Sequence, residues 1–449
     1  MKIAVLNGSP KGKNSITLQT VFYLEKHFPD HEFRIYPISS RIRTLEKDMT
    51  SLLDAMEEAD LLLFSYPVYT FMAPSQLHHF MEMLKTSGRD FSGKYVTQIT
   101  TSKHFYDVTA HRYMEENFHD LGMKVLKGLS ADMEDLLSDK GRGEAKKFMK
   151  YVVWQMNHDF SETPPVPRFK GIRVPATLTA THEEMQVKST NYTAVIVADY
   201  GEEDTHLVDM IVRFRRVFPF RTKVVNIRNF DFKGGCIGCL SCASNGRCIY
   251  DDHFPDFLRN DILTGSAIVY AFNIRCHSMG WHMKQFDDRQ FCNGHRTVSM
   301  GKPVGYLISG DYRYEENLRM VIEARAQAGG NYLSGVATDE IDTDLAIDQM
   351  SAVLAFALEE GYTQPQNFYG VGGIRIFRDL IFMMRGMMKQ DHKFFKKNKM
   401  YDFPHKRKLT TLGMYLVGII FSNEKLLKKI RPQIDEGMIS SYKKVINEK

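Results

Sequence analysis

Short apolar runs alternate with amphipathic segments along this 449-residue chain, and the alternation occurs twice. In the first half the pattern predicts strands at residues 2–6, 32–38, 60–64, 94–100 and 123–128. In the second half it predicts strands at residues 192–198, 222–228, 266–272, 302–308 and 331–338. Strands that are apolar throughout are buried on both faces, as in parallel sheets covered by helices. The sequence therefore predicts an α/β protein with two tandem, doubly wound, five-stranded parallel sheets.

The segments between the predicted strands have helical periodicity. They predict helices near residues 45–58, from residue 75, near 108–121 and around 144–155 in the first half. In the second half they predict helices from residue 206 and near 315–327. Between residues 161 and 188 the periodicity fails, and "ETPPVPRFKGIRVP" contains four prolines, which is typical of a linker.

The predicted domain boundaries follow from these patterns. The first domain covers residues 1–160, a proline-rich linker covers 161–190, the second domain covers 191–362 and a basic helical extension covers 363–449. Equivalent strands of the two halves are about 190 residues apart at first, but about 207 residues apart from the third strand onward. An insertion therefore lies between the second and third strands of the second half, and it contains the cysteine-rich segment 234–252.

The loop after the first strand, "NGSPKGKNSIT", is suited to an anion. Gly8 and Gly12 permit tight turns, and the loop stands at a helix N-terminus, where free N–H groups and the helix dipole favour negative charge. Its polar side chains are Ser9, Lys11, Lys13, Asn14, Ser15 and Thr17. An ordinary capped helix is the alternative, but a cap needs only one such residue. The loop is interpreted as a phosphate site.

The loop after the third strand carries aromatic side chains between two prolines. Pro67 and Pro74 bracket Tyr69 and Phe71, and Tyr66 precedes them. A planar ring could rest against such a loop. The alternative, in which the aromatic residues only fill the core, is less favoured because the phosphate loop accompanies this one.

This pair of motifs, "GSPKGKNSIT" and "YPVYTFMAPSQLHHFME", resembles the flavodoxin-like NAD(P)H-dependent FMN reductase family, which includes iron–sulfur flavoproteins. The resemblance implies two flavodoxin-like domains and an FMN site. The residues that it assigns to the FMN phosphate are Ser9, Lys11, Asn14, Ser15 and Thr17. Those that it assigns to the isoalloxazine ring are Pro67, Val68, Tyr69 and Thr70, with Thr101, Ser102 and Lys103 near its other edge.

The equivalent first loop of the second half, "DYGEEDTHL", is acidic. Asp199, Glu202, Glu203 and Asp204 stand where a dianionic phosphate would have to bind, which is unfavourable unless a cation intervenes. The sequence therefore predicts a single flavin, held by the first half.

Four of the six cysteines lie within the inserted segment. Their spacing is Cys236-x2-Cys239-x2-Cys242-x5-Cys248, with Gly234, Gly235 and Gly238 allowing tight turns. Such spacing suits one [4Fe–4S] cluster, and the resemblance implies a cluster in this place. Structural zinc and free or redox-active thiols are the alternatives. Cys276 and Cys292 are interpreted as buried, inert cysteines.

In homodimeric relatives, the resemblance implies, the flavin of one subunit lies near the cluster of its neighbour. This chain resembles such a dimer fused into one polypeptide, an internal pseudo-dimer. The leading hypothesis is an NAD(P)H-dependent flavin oxidoreductase in which FMN and a [4Fe–4S] cluster pass electrons from NAD(P)H or a ferredoxin-type donor to a small-molecule acceptor. The alternatives are an electron carrier or redox sensor without its own substrate, and a zinc-stapled flavin reductase. The sequence identifies no catalytic residue.

The C-terminal region is basic. Residues 375–431 contain fifteen Lys and Arg against four Asp and Glu, whereas the whole chain has a net charge of +5. An amphipathic helix packed on the repeats is favoured, and contact with an anionic membrane surface or with an acidic ferredoxin or flavodoxin is the alternative. No nucleic-acid motif accompanies the charge. We expect a cytoplasmic protein, because no signal peptide or membrane-spanning run is recognisable.

Overall fold

The computed structural model describes residues 1–163, 171–178 and 191–421. Most of the predicted linker and the last part of the predicted extension, residues 422–449, lie outside the described residues. The chain divides into two compact units, Met1–Lys393 and Phe394–Lys449, so both sheets belong to the first unit. The predicted domain boundaries stay predictions.

The first half forms a parallel sheet with the order β2-β1-β3-β4-β5, and β6 pairs with β4. Its strands are β1 Lys2–Asn7, β2 Glu32–Pro37, β3 Leu61–Pro67, β4 Tyr95–Ser102, β5 Lys124–Val125 and β6 Leu129–Asp132. Its α-helices are α1 Ile16–His27, α2 Ile42–Leu45, α3 Thr50–Glu58, α4 Ser75–Thr86, α5 Asp107–Asp120 and α6 Asp139–Asn157.

The second half repeats the same strand order, β8-β7-β9-β11-β12, and β10 pairs antiparallel with β9. Its strands are β7 Thr193–Asp199, β8 Arg221–Asn226, β9 Ala267–Arg275, β10 Ser278–Met279, β11 Pro303–Ser309 and β12 Tyr332–Thr338. Its α-helices are α7 Thr205–Val217, α8 Ser241–Asn245, α9 Phe254–Phe257, α10 Trp281–Arg289, α11 Glu316–Ala328 and α12 Thr343–Glu360.

The prediction of two doubly wound parallel sheets is confirmed, because both halves place their strands in the order 2-1-3-4-5. The helix predicted near residues 45–58 begins only at Thr50, because the chain forms the separate short helix α2 up to Leu45; the Asp48 carboxylate in the connecting turn accepts a hydrogen bond from Thr50 N at 2.8 Å. The last helix of the first half begins at Asp139, earlier than predicted, because Ser138 caps it by accepting from Gly141 N at 3.0 Å.

The two halves pack through α4 and α10, which occupy equivalent positions in the two folds. Glu82 of α4 accepts a hydrogen bond from Trp281 N at the start of α10, at 2.7 Å. Reciprocally, Asp288 of α10 accepts one from Ser75 N at the start of α4, at 2.8 Å. Each helix thus caps the other through an equivalent carboxylate, which is the reciprocal contact of a twofold interface. The internal pseudo-dimer predicted from the sequence is confirmed.

The interface is also part of the hydrophobic core. One continuous cluster of buried side chains includes Met81 and Phe118 of the first half and Met283, Phe286 and Val321 of the second. Two further clusters lie on the outer faces of the two sheets. Because the inner faces share one core, their burial stabilises the pairing of the halves as well as each fold.

In the described part of the chain, α12 is followed by the α-helices α13 Phe368–Met383, α14 Lys389–Lys397 and α15 Lys408–Phe421. Helix α13 packs against α11 within the first compact unit. Among the described helices, none combines the length and apolar character needed to cross a bilayer.

Candidate functional site

A cavity of about 630 Å³ lies where β1, β3 and β4 end, and its walls come from both halves of the chain. The predicted flavin residues that border it are Ser9, Lys11, Ser15, Thr17, Pro67, Val68, Tyr69, Thr70, Thr101, Ser102 and Lys103. All four clustered cysteines, Cys236, Cys239, Cys242 and Cys248, border the same cavity. Among the predicted site residues, Asn14 alone is not in the wall, and it is exposed.

The phosphate loop presents buried hydroxyl groups to this cavity. Ser9 is 1% exposed, Ser15 is 2% exposed and Thr17 is fully buried. Ser15 also caps α1 by accepting from Leu18 N at 3.4 Å. Asn7 holds the loop through Ser9 N, which donates to its Oδ1 at 3.1 Å. Buried hydroxyls beside a helix N-terminus provide both hydrogen bonds and the dipole for an anion.

The loop after β4 contacts the phosphate loop. The hydroxyls of Thr17 and Thr101 lie 2.6 Å apart, and Thr101 is 6% exposed. Ser102 accepts from His104 N at 2.7 Å, which shapes the following turn. The Lys103 amine donates to Asp132 at 2.9 Å, so Lys103 is already paired with a carboxylate. Lys11 has no such carboxylate partner among the described residues, and it is the cation better placed for a phosphate.

The loop after β3 is held by the second half of the chain. Thr70 and Phe71 have φ angles of 49° and 72°, in the left-handed region that side chains with a Cβ rarely adopt. The fully buried Lys284 donates to Tyr69 O at 3.0 Å, and Thr70 donates to Asp288 at 3.2 Å. Lys284 and Asp288 also form an ion pair with each other. The strained loop is therefore fixed by a buried ion pair of α10.

The cysteine segment packs directly on that loop. Gly238 has a φ of 63°, and a Cβ there would stand 2.9 Å from Cζ of Tyr69 and still closer to its hydroxyl. A Cβ at Gly235 would stand 2.5 Å from Oγ of Ser75, at the start of α4. The close approach of the halves thus favours glycine at both positions, and at Gly238 the backbone conformation favours it as well. From the sequence, both glycines were interpreted only as residues that allow tight turns.

The four thiols differ in exposure. Cys239 is exposed, whereas Cys236, Cys242 and Cys248 are half-buried. Burial raises the pKa of the Cys236 thiol to about 12, and Cys242 donates to Phe291 O at 2.8 Å. Cys292 is buried, as predicted, but it borders the cavity as well. Its distance of about fifty residues from the cysteine run hid this proximity in the sequence.

One wall of the cavity comes from the C-terminal extension, and sequence reasoning did not predict it. Apolar residues of α13 and the turn after it border the cavity: Ile374, Phe377, Leu380, Met384, Met387 and Met388. The Phe377 ring lies 4.3 Å from that of Phe105, and Tyr106 donates to Tyr369 O at 2.7 Å. The sequence favoured an amphipathic helix packed on the repeats, but it did not show that this helix borders the cavity of the predicted flavin site.

In the second half, the place of the phosphate loop is filled by arginine. Arg228 donates to Asp199 at 2.7 Å and to Asp204 at 3.3 Å, and Arg275 reaches Asp204 at 3.2 Å. A Cβ at Gly201 would stand 2.5 Å from Nη1 of Arg228. The acidic side chains therefore bind a guanidinium group of the same chain.

The residues present fit both predicted cofactors. Buried hydroxyls and Lys11 suit the FMN phosphate, and Pro67, Val68 and Tyr69 give a stiff, partly apolar surface for a flat ring. Four cysteines from one segment border the same cavity, and thiolate is the ligand that iron–sulfur clusters and zinc prefer. The fold and site thus define a duplicated flavodoxin-like protein with a flavin-type site in its first half.

Residues 1–134 match the family described as NADPH-dependent FMN reductase. The resemblance predicted from the motifs is confirmed for this part of the chain, which matches a family of flavin oxidoreductases. A search of curated proteins gave no significant match.

Solved structures similar to this chain each cover about a third of it. They include NAD(P)H:quinone oxidoreductase from Methanothermobacter marburgensis, with 13% identity, a TM-score of 0.29 and coverage of 36% of this chain and 98% of that one. General stress protein 14 from Treponema denticola in complex with FMN has 13% identity, a TM-score of 0.27 and coverage of 35% and 98%. An FMN-dependent NADH-azoreductase from Bacillus anthracis in complex with FMN has 13% identity, a TM-score of 0.28 and coverage of 35% and 98%.

Proposed function

We propose that this protein is an oxidoreductase that uses one FMN and one [4Fe–4S] cluster to pass electrons from NAD(P)H or a ferredoxin-type donor to a small-molecule acceptor. The observation that carries this proposal is the shared cavity. It is bordered by the predicted flavin loops of the first half and by all four clustered cysteines of the second. Two redox groups held in one cavity could exchange electrons directly, without a partner protein.

The cofactors supply the redox chemistry, because FMN exchanges electron pairs with NAD(P)H and single electrons with an iron–sulfur cluster. The chain's own residues hold and orient them. Ser9, Ser15 and Thr17 would bind the phosphate, and Lys284 and Asp288 fix the ring-binding loop. The apolar wall of α13 would exclude water from this side of the cavity.

Three features support a cluster over zinc. The four cysteines come from a single short segment, whereas structural zinc sites more often use two separated pairs. They border the predicted flavin cavity, where a cluster could exchange electrons with the flavin and zinc could not. Tyr69 of the flavin loop also lies against Gly238, within the cysteine segment.

Arg228, in the second half of the chain, favours a single flavin per chain. Arg228 takes the place where a phosphate would bind, and its charge is balanced by Asp199 and Asp204. Displacing Arg228 would remove the guanidinium paired with the buried Asp199, which is 4% exposed, and would leave Asp204, which is 9% exposed, with Arg275 as its cation. The second half would thus contribute the cluster and the first half the flavin.

Anaerobic purification followed by cofactor analysis tests this proposal. We expect one FMN, four irons and four acid-labile sulfides per chain, with a signal from a reduced cluster in the electron-spin spectrum. Cys239→Ser should abolish that signal, whereas the matched variant Cys276→Ser, outside the segment, should retain it. A stoichiometric zinc content without sulfide would overturn the cluster and leave a zinc-stapled flavin reductase.

Steady-state turnover separates the enzyme from an electron carrier. We expect oxidation of NADPH or NADH in the presence of a quinone, a free flavin or a nitroaromatic acceptor. If light and a deazaflavin reduce the protein but neither nicotinamide does, the NAD(P)H donor is wrong. A reduced ferredoxin or flavodoxin is then the donor to assay, and lack of reoxidation by every acceptor would favour the carrier.

A further inference from the structure

Arg289, the last residue of α10, lies beneath the cysteine segment and borders the cavity. It is 2% exposed and is among the largest fully buried side chains of the described chain. Buried arginine is rare unless its charge is paired, so its surroundings indicate what it does.

The guanidinium group contacts both ends of the cysteine segment. Two of its nitrogens donate to the two carboxylate oxygens of Asp252, each at 2.7 Å, and Asp252 follows the last cysteine. Nη1 also donates to Gly234 O at 2.8 Å, just before the first cysteine. A single side chain thus ties residue 234 to residue 252 and closes the intervening segment into a loop.

Aromatic rings enclose the same group. The centre of the guanidinium lies 4.6 Å from the Tyr250 ring and 4.9 Å from the Phe254 ring. Tyr250 in turn donates to Gly235 O at 3.0 Å, which adds a second tie between the ends of the segment. Water is therefore largely excluded from the cation, and its electrostatic influence on neighbouring groups is correspondingly stronger.

One donor of Arg289 points to the proposed cluster. Nη2 lies 3.7 Å from Sγ of Cys248, which is within range for an N–H to sulfur hydrogen bond. Nε is buried and has no hydrogen-bond partner among the residues that the structure describes. A buried donor without a partner is costly, so a further acceptor at this place would be favourable.

We propose that Arg289 is a positioning residue for the cluster, which closes the cysteine segment around it and raises its reduction potential. The inference rests on the proposed [4Fe–4S] site. A cluster held by four thiolates is anionic and gains another negative charge on reduction, so a buried cation and N–H to sulfur bonds favour the reduced form. Asp252 opposes this effect, because its carboxylate adds a negative charge paired with the guanidinium.

Redox titration of the anaerobic holoprotein, followed by electron-spin spectroscopy, tests the charge effect. Arg289→Gln should shift the midpoint potential of the cluster to more negative values, and Asp252→Asn should shift it to more positive values. Arg289→Lys keeps the positive charge but cannot form the two parallel hydrogen bonds to Asp252. It should therefore change the electron-spin spectrum of the reduced cluster and shift the midpoint potential less than Arg289→Gln does. Arg259→Lys, in the exposed pair with Asp256, is the matched control and should change neither.

The outcomes separate the inference from the function on which it rests. Wild-type protein without iron and sulfide would overturn the proposed cluster. Loaded variants with unchanged potentials and spectra would overturn the role of Arg289 alone. If Arg289→Gln fails to fold, Asp252→Asn decides the charge effect.

Thiol alkylation of the metal-free protein tests whether Arg289 closes the cysteine segment. Arg289→Lys should speed the reaction of the four cysteines, and a rate equal to that of Arg259→Lys would contradict this role of Arg289.

Discussion

The contact between Gly238 and Tyr69 joins the cysteine segment to the flavin loop, and alanine at position 238 should disrupt it. Two effects add. Alanine in the left-handed conformation costs about 1 kcal/mol relative to glycine. Its Cβ would also stand 2.9 Å from Cζ of Tyr69 and closer still to the hydroxyl. Making room for such an atom typically costs about 1–3 kcal/mol, so we expect Gly238→Ala to lose about 2–4 kcal/mol of unfolding free energy.

Gly246→Ala is the matched control for this prediction. Gly246 has a φ of 79° in the same segment, but the nearest atom to its added Cβ, Cγ of Gln390, is 3.9 Å away. Gly246→Ala should therefore lose only about 1 kcal/mol of unfolding free energy, the cost of placing alanine in the left-handed conformation. Urea unfolding of both variants and of the wild type measures the difference, with equal m-values showing that the same surface is exposed.

Cofactor content gives an independent reading of the same contact. Because Tyr69 borders the predicted flavin site, Gly238→Ala should also weaken FMN binding and lower the iron content, whereas Gly246→Ala should leave FMN binding unchanged. If both variants lose the same stability and bind FMN equally, the two sites are not coupled through Tyr69, and the reasoning is wrong.

Three further predictions concern the interface and the phosphate loop. Asp288→Asn should lower the free energy of unfolding by about 3–5 kcal/mol, because the buried Lys284 loses its nearest counter-charge and keeps only Asp287, at 3.9 Å; urea unfolding measures this, and a loss below 1 kcal/mol would contradict the ion pair's role. Burial raises the pKa of Glu82 to about 7, so the folded protein binds the proton more tightly and the free energy of unfolding should fall by about 3 kcal/mol as pH rises from 4.5 to 7.5. Glu82→Gln should flatten that slope in unfolding measured at both pH values, and an unchanged slope would assign it to other groups. Thr17→Val should weaken FMN binding about tenfold in fluorescence titration, because one buried hydroxyl is lost.

The sequence predicted the sheets and the cysteine segment because their signals are local. Strands buried on both faces are apolar throughout, and the two halves repeat them in the same order. The phosphate loop is a short run beside a helix N-terminus, and the four cysteines are neighbours in the chain. Such features need no knowledge of distant residues.

Helix α10 could not be predicted from such local signals. Its sequence, "WHMKQFDDR", is polar and was not predicted as an element, yet Lys284, Asp288 and Arg289 are almost completely buried. Their charges are compensated by one another and by groups far away in the chain, such as Ser75 N of the first half. Burial of a charged side chain depends on its partner, and partners distant in the chain leave no periodicity in the sequence.

By itself, then, the sequence determined two flavodoxin-like folds, a loop suited to an anion in the first and a cysteine segment inserted in the second. Tertiary structure alone decided that these features share one cavity, that α13 forms its wall and that Arg228 fills the second phosphate loop. The physical reason is the range of the interactions. Hydrophobic periodicity and turn chemistry act between near neighbours, whereas packing and charge compensation act between surfaces that only the folded chain brings together.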